Sequence, residues 1–150
     1  MSANIHIQAE DFDVGDEIAA LTEGKPETGA IASFVGQVRG GDELTALTLE
    51  HYPGMTEREI ARIAEDAGRR WALDGVTIIH RVGRLSVGER IVLVAVAAAH
   101  RGAAFEACEF LMDYLKTRAP FWKQEERAGG AQWVEARPAD DAAAERWRKT

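Results

Sequence analysis

The sequence predicts an α+β fold with mixed, largely antiparallel sheets, and three observations carry that expectation. Strand-like runs fall in neighbouring pairs, at residues 30–38 and 44–50 and again at 76–82 and 90–99. Between and after these pairs, apolar residues recur at helical spacing over 56–73 and 101–118. Hairpin-like and crossover-like connections therefore alternate, which suits segregated helices and strands better than a repeating βαβ order. No repeat, low-complexity tract or linker interrupts the 150 residues, so one domain spanning 1–150 is expected.

The elements follow in order. Residues 4–8 alternate weakly and read as a first strand. Asp13, followed by Asp16 and Glu17, has the chemistry of a helix start, with Ile18 and Leu21 as its apolar side. AIASFVGQV at 30–38 is a strong strand, and Gly36 marks a bulge or a close backbone approach. Gly40-Gly41-Asp42 then turns into the strand 44–50, so these two are expected to form a hairpin. The helix 56–73 places Ile60, Ile63, Ala64, Ala67 and Trp71 on one face. The strand 90–99 is apolar on both faces and is expected to be central. The helix 101–118 is stopped by Pro120, and an extended segment 121–126 follows. Gly129-Gly130 turns into a strand at 132–136, and a last helix covers 140–148.

Composition excludes several classes. A net charge of −7 argues against coating a nucleic acid. No apolar run approaches the roughly 20 residues that span a bilayer. A polar, acidic N-terminal stretch and a single cysteine fit a cytoplasmic protein without disulfides. The four histidines show no metal-ligand spacing. Basic residues nevertheless concentrate at Arg39, His80-Arg81, His100-Arg101, Lys116-Thr117-Arg118 and Lys123. Concentrated cations on an acidic protein suit a small anion or an acidic peptide tail.

The most informative stretch is HRGAAFEACEFLMDYLKTRAPFWK, residues 100–123. Helix starts favour acidic and neutral caps, because the macrodipole is positive there. His100 and Arg101 break that preference and suit the holding of an anion. Phe105, Cys108, Met112 and Leu115, widened by Ala104 and Leu111, are expected to form the buried stripe. Glu106, Asp113 and Thr117 are expected on the solvated side, where an Asp113–Lys116 ion pair at i,i+3 would contribute only a few tenths of a kcal/mol. Lys116 falls at the margin of the stripe, near Phe105 and Met112, so it either snorkels past the core or faces a cleft. In the extended segment Phe121 and Lys123 share one face and Trp122 takes the other. Two lysines and Arg39 in one pocket would lower one another's proton affinity and ready a lysine for acid, base or nucleophilic work. Cys108 lies mid-stripe with no cation one turn away, so it reads as a small hydrophobe rather than a nucleophile. Arg101 and Lys116 stand roughly 22 Å apart on a straight helix. One small ligand touches both only if the pocket is shared between two subunits.

These segments resemble one family. GAIASFVGQVR, LTLEHYPGM, IIHRVGRLSVGE, the 99–125 block from AHRGAAF to PFWKQE, and WVEAR are similar, over nearly the whole chain, to large, catalytic subunits of molybdopterin synthase. The resemblance implies an α/β-hammerhead-type fold and a sulfur transfer. Cyclic pyranopterin monophosphate receives two dithiolene sulfurs and becomes molybdopterin. The sulfur arrives as a C-terminal Gly-Gly thiocarboxylate on a small ubiquitin-like partner. The assembly implied is a heterotetramer around a homodimer of large subunits, with no cofactor, metal, nucleic acid or membrane involved. Carried over residue by residue, Lys116 and Lys123 are catalytic. Gln37, Val38, Arg39, His100, Arg101, Gln124, Glu125 and Arg137 join them in substrate binding, and Phe34 and Met112 line the pocket. Gln124 departs from the base that the family often has there, which puts one peripheral contact in doubt. A different class fits the same cations: a non-catalytic module for anions or C-terminal peptides. Such a module would not need two lysines flanking Pro120.

Overall fold

A computed structural model describes residues 1–134 and 138–149. In chain order the elements are β1 (Ser2–Gln8), α1 (Val14–Thr22), β2 (Ala30–Gln37), β3 (Leu44–His51), α2 (Met55–Arg70), β4 (Leu73–Arg81) and β5 (Gly83–Ser86). Then come β6 (Arg90–Ala98), α3 (Arg101–Thr117), β7 (Phe121–Arg127), β8 (Gly130–Val134), α4 (Pro138–Glu145) and a 3₁₀ turn (Arg146–Lys149). The strands make two four-stranded sheets, ordered β1-β4-β6-β2 and β5-β3-β7-β8. Only β1 and β4 pair in parallel; the other pairs are antiparallel. The α+β expectation holds.

β6 organises the first sheet. Every residue from Val92 to Ala98 is buried, and a strand apolar on both faces has to lie inside a sheet. Its alternation sorts the core into two layers. Val94 and Val96, with Val76 and Ile78 of β4, meet Ile60, Ile63 and Ala67 of α2 and Ala104, Ala107, Cys108 and Leu111 of α3. Leu93, Ala95, Ala97 and Ile79 face the opposite way, onto Phe12 and Leu21. Asp13 caps α1 as its chemistry predicts, its carboxylate accepting from the Asp16 N–H at 2.9 Å. The bulge falls between Gly36 and Gln37. A Cβ on Gly36 would meet Val92 Cγ1 at 2.9 Å, so the close approach is real as well.

The expected hairpin of 30–38 with 44–50 does not form. β2 pairs with β6, whereas β3 pairs with β5 and β7, so the intervening residues cross between sheets. Val38 shows why. Its N–H donates to the Glu89 carbonyl at 2.9 Å and its carbonyl accepts from the Gly88 N–H at 2.8 Å, so the strand's end is tied to the β5–β6 loop. Asp42 and Glu43 then take left-handed backbone angles of 50° and 62° in φ. β5, absent from the sequence reading, is the four-residue strand that the second sheet requires. Val38, Leu47, Leu49 and Leu85 form the small core under it.

α3 is rotated from its expected face. The buried positions are Ala104, Ala107, Cys108, Phe110, Leu111, Tyr114 and Leu115, while Phe105 is 65% exposed. The rotation follows from an aromatic cluster on the other flank. Phe110 meets Trp71, Tyr114 and Trp147 edge-on, at centroid distances of 5.3, 4.7 and 5.6 Å. Asp113 is not on a solvated side either. Its carboxylate accepts from Trp147 Nε1 at 2.6 Å and from Arg146 Nη2 at 2.9 Å, which fastens the closing turn to α3.

Candidate functional site

The register between β2 and β6 decides where the basic residues go. Ala30 pairs with Ala98 and Gln37 with Arg90. Arg39, two residues beyond Gln37, and His100, two beyond Ala98, therefore lie at opposite ends of that pair. α3 leaves the His100 end and folds back over the sheet, its Cys108 Sγ 3.8 Å from the Val94 carbonyl in mid-strand. Its seventeen residues carry Lys116 to the Arg39 end, roughly 22 Å from Arg101. The predicted cations thus form two groups within one chain.

The first group is built around Pro120. Thr56 is fully buried; its hydroxyl accepts from the Tyr52 N–H at 2.9 Å and donates to the Pro120 carbonyl at 3.1 Å. That bond fixes where α3 ends and β7 begins. Phe121 then stacks on the His80 ring at 3.9 Å and 17°. Lys123 sits on the same face as Phe121, opposite Leu49 of β3 and Val134 of β8, and is half-buried. Trp122 takes the other side, 45% exposed, 5.7 Å from Tyr52. Lys116 and Arg39 are exposed, and Met112 is half-buried one turn before Lys116.

His80 is a residue that sequence reasoning counted among the bases without assigning it a role. Burial first, then the nearby positive charges of Lys116 and His51, hold its pKa down to about 4, against the opposing Arg81 carbonyl. It is therefore neutral at pH 7. Its Nδ1 lies 2.8 Å from that carbonyl, which can only accept, so Nδ1 carries the proton. The sequence signal was a histidine closing the strand run Val76-Thr77-Ile78-Ile79. A depressed histidine binds its proton more readily in the unfolded chain, so its contribution is complete above pH 6.5 and is lost as pH falls toward 4. The unfolding free energy should drop by about 2 kcal/mol across that window. His80→Phe, which keeps the stack, should flatten the drop when urea denaturation is compared at pH 7 and 4.5. An equally steep drop in the variant would remove His80 as its cause.

The second group stands at the start of α3. His100 is the N-cap but makes no side-chain cap bond, and the first turn contains no acid. Both His100 and Arg101 are exposed. The backbone beneath them is held closely: Gly29 donates to the Ala98 carbonyl at 3.0 Å. A Cβ on Gly29 would come within 2.3 Å of the Ala99 carbonyl oxygen.

The remaining predicted positions scatter. Gln37 is exposed just past the bulge, and Phe34 is 43% exposed on β2. Val38 is 2% exposed with both backbone groups engaged, so in this chain it is a core side chain beside Arg39. Gln124 and Glu125 are half-buried on β7, and Glu125 pairs with Arg127 at 3.0 Å. Glu125 also lines an open cavity of about 750 Å³ along the β7–β8 hairpin, with Glu43, Arg127, Gln132, Trp133 and Val134. Arg137 lies outside the described residues. Arg81, one of the expected basic spots, is buried and structural, donating to the Ala9 and Arg90 carbonyls at 3.0 and 3.1 Å. Among the described residues no group of three or more His, Cys, Asp or Glu is placed to hold a metal ion. No helix among them is long and apolar enough to cross a membrane.

Cys108 is 7% exposed, and burial, aided by the Glu109 charge, raises its pKa to about 11. The thiolate is the reactive form and is scarce here at neutral pH. Cys108→Ala should keep near-normal activity and lose about 1 kcal/mol of stability for the small cavity. A folded but inactive Cys108→Ala protein in a turnover assay would make the thiol a participant.

Comparison with known proteins gives these groups a context. Residues 7–118 match the model of the MoaE protein family. The molybdopterin synthase catalytic subunit of Mesorhizobium japonicum is 56% identical, covering 100% of this chain and 96% of its own. A solved structure, the molybdopterin biosynthesis MoaE protein from Burkholderia ambifaria, superposes with a TM-score of 0.85 at 56% identity, over 97% of this chain and 98% of the other. A complex of subunits 1 and 2 of the molybdopterin-converting factor from Helicobacter pylori shares the fold, with a TM-score of 0.73 at 22% identity over 90% of this chain and 91% of that one. A match of this extent settles the family: the chain belongs to the MoaE family of molybdopterin synthase catalytic subunits.

Proposed function

We propose that this chain transfers sulfur to cyclic pyranopterin monophosphate, with each sulfur delivered as the C-terminal thiocarboxylate of a small ubiquitin-like partner. The observation that carries this reading is a pair of lysines, Lys116 and Lys123, on either side of the fixed Pro120 turn, with Lys116 near a neutral His80 and Arg39 toward the same end of the β2–β6 pair. In each of two rounds the thiocarboxylate sulfur bonds to a side-chain carbon of the pterin, displacing oxygen. Water then cleaves the acyl–sulfur bond, leaving a dithiolene sulfur on the pterin and an ordinary carboxylate on the tail. Lys116 meets the tail carbonyl and stabilises or captures the acyl group. Lys123, three residues past Pro120, serves the proton transfers on the pterin. Arg39, with His100, Arg101 and Arg137, holds the phosphate and the pterin.

Two features support the partner as the sulfur carrier. The chain's own thiol is buried with a raised pKa, and the H. pylori relative of this fold is described as a two-subunit complex. The separation of His100 and Arg101 from Lys116 along α3 supports a pocket shared within a homodimer, at the centre of a heterotetramer. Incubating the protein with thiocarboxylated partner and pterin precursor tests the reading. Molybdopterin should form, with one tail consumed per sulfur. Tail and phosphate binding without turnover would leave only a binding module.

A further inference from the structure

We propose that Thr56 is a positioning residue for the sulfur transfer: its buried hydroxyl, bonded to the Pro120 carbonyl, sets how Lys123 is presented relative to Lys116. The inference rests on the two-lysine reading above and says what holds the two amines in one arrangement.

Six residues separate the lysines, and their backbone decides where the second amine goes. Thr117 closes α3, Arg118 caps it with its N–H on the Tyr114 carbonyl, and Ala119 and Pro120 turn the chain into β7. The proline ring fixes its own φ and steers Ala119 toward extended backbone. The Phe121 N–H donates back to the Ala119 carbonyl at 2.9 Å, closing a tight turn on Pro120. The torsion that remains is ψ of Pro120, which aims its carbonyl and with it the start of β7. Thr56 holds that carbonyl at 3.1 Å.

The hydroxyl has no other direction to take. Its oxygen accepts from the Tyr52 N–H at 2.9 Å, so its own proton goes to Pro120, a carbonyl that can only accept. Thr56 is fully buried, so water does not compete for either bond. The platform behind it is the start of α2, and that start is braced. The Gly54 N–H donates to the Glu57 carboxylate at 2.9 Å, and the Thr56 N–H donates to the Tyr52 carbonyl at 2.9 Å. From the end of α3, Arg118 reaches Glu59 at 3.2 Å. Past the turn, the His80–Phe121 stack carries the same constraint toward Lys123. A merely structural threonine would satisfy a carbonyl anywhere in the fold. This one stands between two amines that one reaction uses, where a misplacement of about 1 Å costs roughly a hundredfold in rate.

Thr56→Val keeps the shape and removes the hydroxyl, Thr56→Ser keeps the hydroxyl, and Ile63→Val, in the core under α2, controls for lost stability. With thiocarboxylated partner and pterin precursor, Thr56→Val should lose at least about tenfold in kcat, with KM for the tail within about twofold of wild type. Thr56→Ser should stay within about threefold in kcat, because both hydrogen bonds survive. Hydrogen exchange reads the turn without turnover: the Tyr52 amide should exchange at least about tenfold faster in Thr56→Val and at the wild-type rate in Thr56→Ser. Should Thr56→Val not fold, Thr56→Ala removes the same hydroxyl and is held to the same expectations. A wild-type kcat in the hydroxyl-free variant, a loss confined to KM, an equal loss in Thr56→Ser or Ile63→Val, or unchanged exchange at Tyr52 overturns the positioning role and leaves the sulfur-transfer reading standing. A wild-type protein that makes no molybdopterin overturns the sulfur-transfer reading itself, and the positioning role with it.

Discussion

Lys116→Ala is expected to reduce molybdopterin formation by at least about 10³-fold, the scale seen when a group that stabilises a developing oxyanion or captures an acyl carbon is removed. The fold should survive. Lys116 is exposed at the last turn of α3, while the adjacent Leu115 and Tyr114 supply the packing. Lys123→Ala should be severely impaired as well, with a larger stability cost, because its stem is half-buried between Leu49 and Val134. Product formation at the wild-type rate by either variant, with circular dichroism unchanged, would remove the assigned role. Titrating the thiocarboxylated tail separates the two lysines. A lysine that meets the tail carbonyl in the transition state lowers kcat and kcat/KM together, whereas one that only anchors the tail raises KM.

The second large effect is a recovery. An Arg101→Ala chain and a Lys116→Ala chain should each be inactive alone, and mixing them should restore turnover. Random exchange makes half the dimers mixed, each with one intact pocket of two, so activity should approach about a quarter of the wild-type value. No recovery after subunit exchange has been verified by mass would show that each chain uses its own helix start. The helix geometry makes that outcome hard to accommodate, because the two groups lie at opposite ends of one uninterrupted helix.

Much of this was legible in the sequence because local chemistry decided it. Asp13 capped its helix, β6 was central because its run is apolar on both faces, and Gly36 marked a bulge. The misreadings share a cause: the deciding partner was distant in sequence. Two strands joined by Gly40-Gly41 look like a hairpin, but Val38 is bonded to residues fifty positions further on, and that pulls the chain into another sheet. Phe105 looked buried because it lines up with Cys108, Met112 and Leu115 at helical spacing, yet it is exposed. Trp71 and Trp147, neither of them local, set which face of α3 turns inward. At the candidate site the residue types and the span between Arg101 and Lys116 were readable, but which of the two ends Arg39 joins required the β2–β6 register. His80 acquired significance only once Phe121 was found against its ring.

α3 has one more consequence, and it is mechanical. A helix of seventeen residues is a stiff rod of roughly 25 Å. Its first turn follows directly on β6, and the chain just past its last turn is held by the Thr56–Pro120 hydrogen bond. The span between Arg101 and Lys116 is therefore a fixed length of the fold, a built-in ruler that no small ligand can shorten by drawing the two cations together.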